Sequence, residues 1–174
     1  MTIVLQMWVK NFISDFDAAR NRALFISGVG SSVGLISAVL FGFIYEKSKM
    51  KIPLLLCNGT ILVGFGSLVF WNDPSSPLVF VSFAFASFGF YGLATLGFII
   101  VNKNVGCNAR GAVMGVNSWA GAVGIVFIIG VGGLLFNKIF VLIPFLISAA
   151  LSALMIICLL IPSISNKLDD SKET

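Results

Sequence analysis

Among the polar side chains inside the charge-free apolar runs, four stand at a depth where hydrogen-bonding chemistry could be done: Ser31, Tyr91, Thr95 and Asn117. Tyr91 and Thr95 are four residues apart, hence on one helical face, and Ala84 and Phe88 continue that face. A phenol among phenylalanines suits an amphipathic or aromatic solute, held by contact area with few polar contacts. The same groups serve equally well to tie two helices together by hydrogen bonds. Nucleophilic chemistry has less to work with. Gly30-Ser31-Ser32-Val33-Gly34 fits the G-x-S-x-G elbow of hydrolases, but that elbow needs a strand-to-helix turn and a His, and the chain contains no His. The same absence removes histidine metal sites and histidine proton relays. No Asp, Glu, Lys or Arg lies in the middle of an apolar run, so the ionisable groups that mark proton relays and ion pathways in membranes are not among these residues. Cys57, Cys107 and Cys158 are too widely spaced for a zinc set or a disulfide framework and read as small core residues. Asn58-Gly59-Thr60 is a glycosylation sequon by pattern, placed within an apolar run where the modifying machinery does not reach. The residues give no footing for an enzyme, and no cofactor or metal is expected.

The elements that must position these groups are membrane helices. The chain is 58% apolar and 10% charged, with a mean hydropathy of +1.05, whereas a soluble domain carries about 25% charged residues. The formal charge of +4 raises the question of nucleic acid, but no basic cluster interleaves with aromatics, and the positive-inside rule accounts for the excess. Five uncharged runs follow one another: 24–45, 52–72, 78–102, 111–137 and 139–161. Each is long enough, as a helix, to cross roughly 30 Å of hydrocarbon. The expected fold is therefore an all-α polytopic bundle of five complete transmembrane helices. Pro74 and Pro77 end the second run, and the short link at Asn137 and Lys138 makes a tight hairpin of the last two. Three regions result. Residues 1–23 hold an apolar stretch too short to span, with Trp8 as an interfacial anchor, and an amphipathic segment with Asp15, Asp17, Arg20 and Arg22. Residues 24–162 form the bundle, and 163–174 a polar tail.

Glycine and charge give packing and sidedness. Gly30, Gly34, Ala38 and Gly42 recur every fourth residue, a small-residue stripe that lets a neighbouring helix approach closely. The first and fourth runs hold eleven of the eighteen glycines, Gly111 and Gly115 among them, and the fifth holds none. This predicts central first and fourth helices and a fifth that faces lipid. With the turn after the first run inside, the inner side carries Lys47, Lys49, Lys51, Lys103, Arg110, Lys167 and Lys172, and the outer side Lys10, Arg20, Arg22 and Lys138. Seven against four puts the N-terminus outside and the C-terminus in the cytoplasm of a multi-pass cell-membrane protein.

The segment Gly42-Phe43-Ile44-Tyr45-Glu46-Lys47-Ser48-Lys49-Met50-Lys51 resembles the G-x-x-x-D-(R/K)-x-G-(R/K)-(R/K) signature of major facilitator superfamily transporters. Gly42, Glu46 (for Asp), Lys47 and Lys51 match; Lys49 and Met50 depart from the pattern. Arg110-Gly111-Ala112-Val113-Met114-Gly115 is similar to the R-G-x-x-x-G opening of that family's eleventh helix. The resemblance covers most of the chain and implies a partial half-domain: helices eight to twelve, with residues 1–9 as the outer end of a truncated helix seven. Its glycine-rich helices eight and eleven then correspond to each other within an inverted repeat. The overall look is nearest the drug:proton antiporter branch.

What the resemblance implies is the carboxyl half of a secondary transporter, moving a small, amphipathic, drug-like molecule by alternating access. Its substrate cavity on this side would be lined by Ser31, Phe88, Tyr91, Thr95 and Asn117, with the turn at Gly42, Glu46, Lys47 and Lys51 acting in topology and gating. The expected partners are the bilayer, a small-molecule substrate, and either a separately encoded amino-terminal half or a second copy; no nucleic acid is expected. The alternative is a membrane fragment or assembly partner that does not itself transport.

Overall fold

A computed structural model describes residues 2–13, 15–71, 73–74, 76–136 and 142–161. Six helices run through them: α1 (Thr2–Lys10), α2 (Phe16–Lys47), α3 (Lys51–Ser67), α4 (Pro77–Asn104), α5 (Cys107–Phe136) and α6 (Ile143–Leu160), with no strand among the described residues. Each of the five uncharged runs is helical over most of its described length. Among the described residues three helices, α2, α4 and α6, are long and apolar enough to cross a membrane, which makes a membrane location compatible with the fold. The second run is cut shorter than expected. Its helix stops at Ser67 and unwinds into a turn through Phe70, leaving 17 residues, about 25 Å at 1.5 Å per residue. The hairpin link at Asn137 and Lys138, and the tail 163–174 with Lys167 and Lys172, lie outside the described residues.

The helix ends follow local chemistry. The Asp15 carboxylate accepts from the Asp17 backbone N–H at 3.1 Å and starts α2 well before the uncharged run begins at Leu24. At the other end the Ser48 N–H reaches the Ile44 carbonyl at 2.9 Å and closes the helix. Ser76 caps α4, with Pro77 following where its missing N–H costs nothing. Between Ser48 and Lys51 the chain reverses, so α3 returns alongside α4 rather than alongside α2.

At the centre of the bundle lies α4, between α2 and α3. Gly30 faces Ser87, Gly34 faces the Tyr91 ring, and Phe25 meets Phe80 edge-on at 5.5 Å. Near the far end Phe41 packs on Phe88 at 5.3 Å, and the Lys103 ammonium sits 4.8 Å above the Tyr45 ring. The two helices therefore run parallel over most of their length. On the opposite side, Gly64 of α3 lies against the α4 backbone at Ser82 and Ala86, and Gly89 of α4 lies against the Cys57 carbonyl. Small residues permit close backbone contact here, as expected for association in lipid.

The placement of α1 corrects the sequence reading. Trp8 is not an interfacial anchor: it is fully buried, stacked on Phe83 at 6.2 Å and edge-on to Phe145 at 5.9 Å. A turn through Asn11 and Phe12 folds α1 back onto α2, and Leu5, Trp8 and Val9 join Phe65, Phe83 and Phe145 in one core. The predicted order of the last two runs is also reversed. The glycine-free α6 sends Phe145, Ala149 and Ser152 inward and packs along α3, while the glycine-rich α5 is exposed over nearly all its described side chains and meets mainly α6. Glycine content reports how closely a neighbour could approach, not whether this chain supplies one. The aromatic core needed Phe145 to fill it, and α6 carries it.

Candidate functional site

Buried hydroxyls and amides first have to satisfy themselves, because an apolar surrounding offers no water to do it. Asn58 bonds the Leu54 carbonyl at 2.9 Å, Ser82 pairs with Ser67 at 2.8 Å, and the Ser37 hydroxyl donates across the interface to the Phe88 carbonyl. Ser31 and Ser32 return to the Ser27 and Gly28 carbonyls at 3.0 Å each, in mid-helix, so the hydrolase-like pattern has no elbow to sit on. The sequon Asn58 is likewise buried inside α3.

One cleft gathers polar groups against an apolar wall. It has a volume of about 190 Å³ and opens between α2 and α4, with α1 and α3 behind. Ser27 and Ser31 approach from α2, and Ser87 and Tyr91 from α4. Leu5, Ile26, Phe65, Phe83 and Phe90 complete it. The glycines make this possible. Gly30 and Gly34 lack the Cβ that would collide with the Ser87 hydroxyl and the Tyr91 ring, so those side chains lie flat against α2. Tyr91 is 40% exposed and meets Phe90 edge-on at 6.0 Å, leaving a partly open aromatic face at the cleft.

Of the five cavity residues expected from sequence, Ser31 and Tyr91 are brought together here. The other three are elsewhere. Phe88 is turned toward Phe41, in a second apolar core with Tyr45 and Leu96. Thr95 bonds the Tyr91 carbonyl at 2.9 Å, within its own helix. Asn117 is exposed on α5. Ser27 and Ser87 were not singled out in the sequence, although each stands four residues before Ser31 or Tyr91, and that spacing alone would have put them on the same faces.

The packing residues divide in the same way. Gly30 and Gly34 are buried at the α2–α4 contact, whereas Gly42, Gly111 and Gly115 have open space where a Cβ would point. The four-residue stripe explains this. A spacing of four advances 400° against a full turn of 360°, so by Ala38 and Gly42 it has drifted off the buried face, which Ser37, Phe41 and Tyr45 occupy instead. At the turn, Glu46 and Lys47 are exposed on the last residues of α2, and Lys51 opens α3. Lys103, at the end of α4, shares that end of the bundle.

Comparison with protein-family models, with curated proteins and with solved structures found no match to this chain.

Proposed function

We propose that the chain forms the carboxyl-side bundle of a secondary active transporter of the major facilitator type, moving a small amphipathic molecule by alternating access. The observation that carries this reading is the cleft at Ser27, Ser31, Ser87 and Tyr91, an apolar recess with a few convergent hydroxyls in the body of long apolar helices. Such a recess accepts an aromatic ring by contact and orients it with one or two hydrogen bonds. On this reading α2 to α6 all span the cell membrane, and the turn at Gly42, Glu46, Lys47 and Lys51 lies in the cytoplasm. Lys103 at the same end, and Arg110 at the start of α5, support that orientation. Export of a drug-like compound is the direction that the antiporter likeness suggests.

A specific observation favours a second reading beside it. The described side chains of α5 are nearly all exposed, Trp119 and Val126 by about 70% each. A long apolar helix with so little of its own chain against it suits an assembly partner, covered by a separately encoded amino-terminal half or a second copy, and without transport of its own.

Binding of a fluorescent amphipathic aromatic cation to the purified chain tests the cleft. Tyr91→Ala should weaken binding about tenfold, through the lost ring contact and hydroxyl, while Asn117→Ala should leave it unchanged. Equal binding by Tyr91→Ala and the wild type would remove the cleft from the proposal.

A further inference from the structure

A second recess lies at the basic end of the bundle, on the outer side of the α2–α4 pair. It has a volume of about 310 Å³. Val39 and Phe43 of α2 and Ile99 of α4 form its walls, Gly42 its floor, and Glu46 and Lys103 its mouth. From Val39 to Glu46 it follows α2 for about 10 Å, at 1.5 Å per residue. Its walls open outward: Val39 and Phe43 are about 60% exposed, on the apolar face that also carries Leu35. An added Cβ at Gly42 would meet nothing within 4 Å, so the floor is empty space and not a packing contact.

The geometry points to a site for one anionic phospholipid, with an acyl chain along Gly42 between Phe43 and Ile99 and the phosphate on the Lys103 ammonium. Three features select that occupant. The walls are apolar along the helix axis, which a free anion cannot use. The mouth carries a fixed cation, which a plain hydrocarbon leaves unsatisfied. The boundary between them falls where the apolar runs of α2 and α4 end, at the depth where a lipid changes from chain to headgroup. Lys103 is held by the Tyr45 ring at 4.8 Å, which takes up one side of the ammonium, while the side chain as a whole is exposed. Lys47 and Lys51 flank the same end and add to the attraction for negative charge. Glu46 opposes it, and so places the phosphate on the Lys103 side of the mouth. The site lies apart from the Ser31–Tyr91 cleft, shares no residue with it, and does not depend on transport.

The test is thermal unfolding of the purified chain in vesicles of phosphatidylcholine alone and of phosphatidylcholine mixed with phosphatidylglycerol. Phosphatidylglycerol should raise the midpoint of the wild type by about 2–4 °C, the size expected for one lysine–phosphate contact in a chain of this length. Lys103→Gln and Gly42→Leu should each abolish the rise, the first by removing the cation and the second by filling the floor. Glu46→Gln should enlarge it, and Lys10→Gln, at the opposite end, should leave it intact. Midpoints in phosphatidylcholine alone show that each variant is folded; Lys103 is exposed and Gly42 unopposed, so both should be. Inorganic phosphate added to phosphatidylcholine vesicles should produce no rise. An equal rise in the wild type and Lys103→Gln would overturn the proposal. So would a rise with phosphate alone, or a larger rise with phosphatidylethanolamine than with phosphatidylglycerol.

Discussion

Gly34 and Gly42 sit two helical turns apart on α2 and do different things. At Gly34 the Tyr91 ring occupies the place of a side chain, so Gly34→Leu must push α4 away and should cost about 1–3 kcal/mol. Gly42 has no such neighbour, and Gly42→Ala should be neutral or stabilising by about 0.5–1 kcal/mol through helix propensity. Thermal midpoints of the two variants in detergent, each against wild type, decide the point; equal loss at both would mean that the whole stripe is packed. Sequence showed that these residues were small and regularly spaced. The drift of a four-residue spacing against a repeat of 3.6 could be read from it, but not where the stripe leaves the interface, because that depends on which residues of α2 the neighbouring α4 meets. Gly64 and Gly89, which lie against neighbouring backbone, had no stripe to announce them. For the cleft, Ser31 and Tyr91 were legible as polar groups in apolar runs. Phe88 and Thr95 lie outside this cleft because a helical face is wide enough for its members to turn to different neighbours.

At the scale of elements, α1 is held by one side chain above all. Trp8 meets Phe83, Phe145 and Phe12, each pair being worth about 0.5–1.5 kcal/mol beyond the area buried. Trp8→Ala should therefore cost about 3–5 kcal/mol and free α1 from the bundle. The indole Nε1 is buried with no hydrogen-bond partner among the described residues, which costs about 1–3 kcal/mol. Trp8→Phe, which removes that donor and keeps a ring, should lose far less. Proteolysis within residues 11–15, alongside unfolding midpoints, would report the release; resistance in Trp8→Ala equal to wild type would show that α1 is held by something else. A short apolar stretch before an amphipathic one gave no sign of this docking, since the partners of Trp8 lie on α4 and α6, far along the chain. The turn between α2 and α3 carries a separate expectation. Under the proposed orientation, a cysteine introduced by Ser48→Cys, with Cys107 replaced by Ser, should resist an impermeant thiol reagent on intact cells and react after permeabilisation. Reaction on intact cells would invert the orientation of every helix.

For the whole molecule, the question is whether this bundle can work alone. Alternating access moves one bundle against another about a site between them. Among the described residues there is one bundle, with α4 at its centre, and α5 stands largely apart from it. On α2, α4 and α5 the polar side chains of Ser31, Tyr91 and Asn117 are exposed. In lipid such groups are costly to leave uncovered, which favours a partner surface over bare membrane. Residues 1–174 by themselves should therefore not catalyse coupled transport, and should self-associate or pair with a second bundle. Reconstituting the purified chain in liposomes and following uptake of amphipathic cations under a proton gradient provides the measurement. Saturable, gradient-dependent uptake by this polypeptide alone would refute the half-transporter reading. Uptake that begins only when a separately expressed amino-terminal half is added, and that falls with Tyr91→Ala, would carry both the pairing and the cleft. Stable pairing without uptake would instead favour the assembly-partner reading, with α5 as the first surface to map by crosslinking from Trp119.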